Sequence, residues 1–159
     1  MQRPRILVID VDTDFVEMVK MTFEPYFEVV SALNRNEGME QAKKKAPILI
    51  ILGYLEPRGT SFQVHNELRE NLTTKNTPLV VVDVCAEEYH RKGWRRYEGL
   101  QMEAEDYVSR PLEPSDLWEI VGGILRRTAK QEPADLKEVA NRMEDVLKEI
   151  DRIELMLTR

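Results

Sequence analysis

Along this chain short, nearly uninterrupted apolar runs alternate with longer stretches in which apolar residues recur every three or four positions. The runs are Arg5–Ile9 (RILVI), Phe27–Ala32 (FEVVSA), Ile48–Leu52 (ILIIL), Pro78–Val84 (PLVVVDV) and Asp106–Ser109 (DYVS). Their length and β-branched content predict strands, and the first, third and fourth read as strands buried on both faces. Between them the period lengthens to that of a helix. Asp12 or Thr13 caps a first helix with Phe15, Val16, Met18, Val19, Met21, Thr22 and Phe23 on a broad apolar face, and Pro25 ends it. A second helix, 36–46, turns Met39, Ala42 and Ala46 inward and ends in Lys43, Lys44 and Lys45, where cations suit the helix dipole. A third starts at Ser61 as N-cap, with Phe62, Val64, His65 and Leu68 inside. Tyr89, Trp94 and Tyr97 fall at helical spacing in 86–99, which predicts a fourth. A last one runs from Ser115 or Asp116 through Leu117, Trp118, Ile120, Val121, Ile124 and Leu125 to about Thr128. Five β/α units with short connections predict an α/β sandwich of three layers around a parallel sheet.

After a break at 131–134 the period sharpens. Leu136, Val139, Met143, Val146, Ile150, Ile153 and Leu157 recur at spacings of three and four, a heptad seam with Leu136 at a and Val139 at d. About 24 residues in this register would extend about 36 Å, and an apolar stripe of that length must be covered by something. The expected organisation is a domain over 1–130 followed by a linker and a C-terminal amphipathic helix over 131–159. Val and Ile at d with Leu and Met at a favour an antiparallel pairing or a bundle over a simple parallel dimer, so a homo-oligomer, dimer or larger, is expected; the alternative is that the tail folds back on its own domain.

Composition narrows the chemistry. The chain has 159 residues, 33% of them charged, and a formal net charge of -6, which gives no reason to expect nucleic acid as a partner. The single cysteine, Cys85, excludes an intrachain disulfide and fits a reducing compartment. With no run long enough to span a bilayer and no signal-peptide pattern at the start, a cytoplasmic protein without membrane contact is expected. His65 and His90 have no partners at ligand spacing, so no metal site or cofactor is expected. Trp94 amid Arg91, Lys92, Arg95 and Arg96 is either a packing residue or the centre of a small contact patch.

The loop that follows a central parallel strand is where an open α/β sheet puts its chemistry, and here that loop begins with Gly53. Four segments give it a context: ILVIDVDTDF, IILGYLEP, TPLVVVDV and AEDYVSRPL. In that order and at nearly those separations they resemble the receiver domain of bacterial response regulators, the CheY-like signalling domain of two-component phosphorelays. The resemblance covers about residues 4–130. It implies a flavodoxin-like, doubly wound parallel sheet in the order 2-1-3-4-5.

Receivers of this family accept a phosphoryl group on a third-strand aspartate, beside a Mg²⁺ held with two acids that follow the first strand. A fourth-strand hydroxyl and a fifth-strand lysine bind the phosphoryl oxygens. Carried over residue by residue, the acceptor falls on Gly53, the acidic pair on Asp10 and Val11, the hydroxyl on Asp83 and the lysine on Arg110. The switch aromatic falls on Tyr107. Pro57 and Pro111 match as they stand. The expectation is a degenerate pseudo-receiver, in which Arg110 pairs with Asp10, Asp83 or both in place of ion and phosphate. Its function is expected to be non-catalytic, through contacts with a histidine kinase, a regulator or an output protein, on the family's usual face at about 86–128. The alternative is an enzyme: the DxD of ILVIDVDTD also resembles haloacid-dehalogenase-type, Mg²⁺-dependent phosphatases, with Asp10 as nucleophile and Asp12 as general acid.

Overall fold

The computed structural model describes residues 3–129, and the seam residues Leu136 to Leu157 lie outside them. The apolar runs form β1 (Arg5–Ile9), β2 (Glu28–Ala32), β3 (Leu49–Leu52), β4 (Leu79–Asp83) and β5 (Asp106–Ser109). All neighbours are parallel and the order is β2-β1-β3-β4-β5, as the resemblance implies. The register sets Leu7 beside Ile50, Ile50 beside Leu79 and Val81 beside Tyr107. Residues Ile6–Ile9, Leu49–Leu52 and Leu79–Asp83 are buried throughout, which is why their sequence shows no alternation.

The chain divides into two compact units, Met1–Pro111 and Leu112–Arg159. In the first, helices α1 (Thr13–Phe23), α2 (Arg35–Lys45) and α3 (Thr60–Glu70) alternate with the strands. Asp12 caps α1, accepting from Asp14 N at 3.0 Å and Phe15 N at 3.3 Å, and Asn34 caps α2. Leu7, Ile9, Ile50, Leu52 and Leu79 form one core cluster with Met39 and Ala42 of α2 and Val64 and Leu68 of α3. In the second unit, α6 (Pro114–Ala129) buries Leu117, Trp118, Val121, Ile124 and Leu125, and Glu113 N donates to Asp116 Oδ2 at 2.8 Å at its start.

Two sequence expectations are corrected. Ser61 is not the cap of α3: Gly59 holds that place with φ 97°, and the Ser61 hydroxyl is used elsewhere. The single helix expected over 86–99 is instead a 3₁₀ turn, Ala86–Glu88, followed by the short α4 (Tyr89–Lys92) and α5 (Arg96–Leu100). Gly93 breaks it. Its backbone is extended and lies so close to the preceding turn that a Cβ there would sit 2.8 Å from Tyr89 O. Arg58 spans the break, donating to His90 O (2.7 Å), to Gly93 O (2.8 Å) and to Tyr89 O (3.1 Å), which also accepts from Gly93 N at 3.0 Å. A guanidinium at a helix C-terminus satisfies those acceptors and complements the dipole. Among the described residues no helix is long and apolar enough to cross a membrane.

Candidate functional site

The parallel sheet collects the C-terminal ends of β1, β3, β4 and β5 on one edge, which brings Asp10, Gly53, Asp83 and Arg110 together. Asp10 is fully buried. Its Oδ1 accepts from Asp12 N at 2.7 Å, and its Oδ2 accepts from Tyr54 N at 2.9 Å and from Arg110 Nη2. Two backbone donors and a guanidinium leave this carboxylate little capacity for further partners. Burial pushes the Asp10 carboxyl above its ordinary value. Arg110 and the two backbone N–H groups pull it back without cancelling that rise.

Arg110 is held from several sides. Its guanidinium lies over the Phe15 ring at 4.4 Å, its Nε donates to Asp83 O and its Nη2 to Val82 O, each at 3.3 Å, and Nη1 is 3.8 Å from Asp12 Oδ2. The planar, forked head of arginine suits this combination of stacking and several acceptors, which a lysine could not match. The expected ion pair therefore exists with Asp10. Toward Asp83 the expectation is corrected: Arg110 reaches that residue's backbone carbonyl, while its carboxylate faces elsewhere.

The Asp83 side chain is served by neutral donors. Oδ1 accepts from Val84 N at 2.8 Å, and Oδ2 accepts from Trp94 N at 3.3 Å and from the Tyr107 hydroxyl. Burial first, and then the carboxylate it donates to, push the Tyr107 phenol up. Tyr107 is thus joined to Asp83 by a direct hydrogen bond, with its ring 41% exposed. Val11 takes no part in the pocket: its side chain packs against the core cluster and its N–H donates to Tyr54 O at 3.0 Å.

Gly53 is the pivot of this arrangement. A Cβ built on it would overlap Asp10 Oδ2, 2.7 Å from Asp10 Cγ and 2.8 Å from Arg110 Nη2. The Asp10–Arg110 pair fills the space that a side chain at position 53 would need. Ser61, displaced from the capping role, pins the loop here: its hydroxyl donates to Gly53 O at 2.7 Å and accepts from Leu55 N at 3.0 Å. A small cleft adjoins Gly53 and is lined by Ser61, Asp83, Trp94 and Glu98 among others.

These residues do not fit the Mg²⁺ that the fold family would imply. One of the two acids is Val11, the remaining carboxylate is already shared among three donors, and a guanidinium stands beside it. Asp12, the other nearby acid, caps α1 through Oδ1. Among the described residues no group of three or more His, Cys, Asp or Glu side chains is arranged to hold a metal ion.

Comparison with known proteins agrees with the fold. No family model matches the chain. It is 29% identical over 136 residues to the phosphate regulon transcriptional regulatory protein PhoB of Escherichia coli, across 85% of this chain and 56% of that protein. It is 32% identical over 124 residues to the transcriptional regulatory protein SrrA of Staphylococcus aureus, across 77% of this chain and 48% of that one. The chain thus spans about half the length of these relatives. A CheY-like response regulator receiver domain from Methanospirillum hungatei superposes with a TM-score of 0.67 at 20% identity, over 82% of this chain and all of that one. The chemotaxis response regulator CheY4 of Vibrio cholerae gives 0.64 at 21%, over 77% and 99%. The fold of the chain is the one seen in CheY-like receiver domains. Its sequence likeness is to part of the transcriptional regulatory proteins PhoB and SrrA.

Proposed function

We propose that this is a signalling module of two-component type that takes no phosphoryl group on aspartate and acts through protein–protein contacts. The observation that carries the reading is the Asp10–Arg110 pair lying in the space beside Gly53. The acceptor position has no carboxylate, and the neighbouring volume is occupied by a guanidinium and the carboxylate it neutralises. Asp83 in place of a hydroxyl supports the same reading, since a buried carboxylate repels a phosphoryl group. Residues 1–130 are the receiver-like domain in this proposal. The partner is a histidine kinase, another regulator or an output protein in the cytoplasm. The exposed side chains of Tyr89, Tyr97, Leu100 and Tyr107 offer it an apolar contact area.

The phosphatase reading gains nothing from the geometry. A nucleophilic Asp10 would need a free oxygen facing substrate, and both of its oxygens are engaged away from solvent.

Incubation of the full chain with acetyl phosphate and Mg²⁺, and separately with a phosphorylated histidine kinase domain, tests the central claim by intact-protein mass. The expected mass is unchanged; a hydroxylamine-labile phosphate adduct that disappears in Asp10→Asn or Asp83→Asn would overturn it. The 131–159 segment, through Leu136, Val139, Met143, Val146, Ile150, Ile153 and Leu157, is proposed to assemble two or more copies. Light scattering should give a multiple of the chain mass for the full protein and a monomer for a chain ending at residue 130. Equal monomeric masses would remove the oligomer.

A further inference from the structure

His65 is buried, 2% exposed, and has no part in the strand-end pocket. Its ring stacks on Phe62 with centroids 5.9 Å apart and meets Trp94 edge-on at 5.7 Å; Phe62 in turn meets Tyr97 at 6.2 Å. Both ring nitrogens are committed. Nε2 accepts from Glu103 N at 2.8 Å, and Nδ1 lies 3.0 Å from Asn66 Oδ1. An imidazole nitrogen accepts only while it carries no proton, so the ring is neutral with its hydrogen on Nδ1, donated to Asn66. A second proton would set N–H against N–H at Glu103 and take the acceptor from a partly buried backbone donor.

The segment that Nε2 holds is the connection 101–105 leading into β5. It has one other tie to α3. Arg69, one turn beyond His65, donates from Nε to Glu103 O at 2.6 Å and pairs through Nη2 with Glu105 Oε2 at 3.3 Å. The charged groups facing the imidazole are that same Arg69, which disfavours a second positive charge, and Glu103, which favours it. Neighbouring elements add no closer charge. Arg35 of α2 turns to Gln63 and Glu67, and Glu98 of α5 accepts from Arg95 N at 2.7 Å. Burial prevails and holds the imidazole below its ordinary value of 6.5.

We propose that His65 is an acid-operated clasp: neutral, it ties the 101–105 connection to α3, and protonated, it releases that connection together with the Trp94 and Tyr97 aromatic face. The clasp rests neither on the reading of the strand-end pocket nor on which partner binds. Its sign follows from proton counting. The open form takes its proton near 6.5 and the closed form only at lower pH, so closure is fully favoured above 6.5 and weakens as pH falls below it. Release would reach the exposed Tyr97 and Leu100, 54% and 79% accessible, and so alter a surface available to partners.

NMR on the full chain tests this, following the His65 ring nitrogens and the exchange protection of amides 101–105 from about pH 7.5 down to about pH 4.5. The expected result is an Nδ1–H tautomer at neutral pH and a Glu103 amide whose protection factor falls about ten-fold per pH unit below 6.5, the signature of opening linked to one proton. In His65→Gln, where a carboxamide can accept the same N–H without titrating, that extra loss should vanish. A ring that protonates while Glu103 stays protected, a ring that stays neutral throughout with protection intact, or an equal loss in His65→Gln would each overturn the proposal. Should the variant fail to fold, the two wild-type readouts decide it alone.

Discussion

Asp10 and Asp83 end strands on either side of β3, and both are almost inaccessible to water, yet the protein holds them by different means. Asp10 faces a guanidinium; Asp83 faces a phenol and two backbone N–H groups. The difference originates at position 53. With no Cβ between them, the Arg110 head lies over Phe15 and reaches across to Asp10, so only its Nε and its backbone N–H are left for the Asp83 carbonyl. A single cation near two acids is therefore not shared. One side of the strand-end pocket is an ion pair, which is demanding about its partner, and the other is a set of neutral hydrogen bonds, which is not.

The largest effect expected from that contrast is in Arg110→Ala. Removing one partner of a buried pair strands the other charge, and losses of about 3–5 kcal/mol are typical. Urea denaturation should show such a loss, and Arg110→Ala combined with Asp10→Asn should be less damaged than Arg110→Ala alone. Should Arg110→Ala cost no more than a change at Asp83, the contrast between the two acids would be wrong.

A smaller effect is expected on the other side. Asp83→Asn keeps an oxygen for the Tyr107 hydroxyl and the Trp94 N–H but loses the acceptor of Val84 N–H, and should cost about 1.5–3 kcal/mol, the range for hydrogen bonds to a charged group. The same substitution should bring the Tyr107 phenol back toward its ordinary value of 10.0, read by absorbance titration, because part of its rise comes from the Asp83 carboxylate.

The smallest effect is in pH dependence. The native Asp10 carboxyl takes its proton at a higher pH than 3.8, so in that window the folded chain binds more protons than the unfolded one. The contribution of Asp10 is therefore favourable below 3.8 and is lost as pH rises through the raised native value. The slope cannot exceed about 1.4 kcal/mol per pH unit for one group. Comparing the stability of wild type and Asp10→Asn between pH 3.8 and neutrality should reveal it, as a decline with rising pH that the variant lacks.

Much of the framework was legible before the coordinates. The uninterrupted runs Ile6–Ile9 and Leu79–Val82 mark buried strands because both faces of a central parallel strand meet apolar neighbours. Gly53 and Arg110 could be expected on one edge because the ends of parallel strands converge there in this topology. The break in the helix after β4 was harder to see. Gly93 is one glycine in a stretch with good helical spacing, and what stops the helix is a close approach to Tyr89 together with an arginine, Arg58, from a distant loop. Ser61 carries an ordinary capping preference that is overridden by the carbonyl of Gly53 eight residues earlier.

By itself the sequence determined the alternation of strands and helices and the buried central strands, since these depend on periodicity and on single residue types. Only the tertiary structure decided which acid Arg110 would neutralise, that Tyr107 would donate to the other, and that His65 would spend its lone pair on Glu103. Each of those contacts joins residues far apart in the chain, and hydrogen-bond reach of about 3 Å is a property of where folded elements bring side chains, which local pattern does not encode.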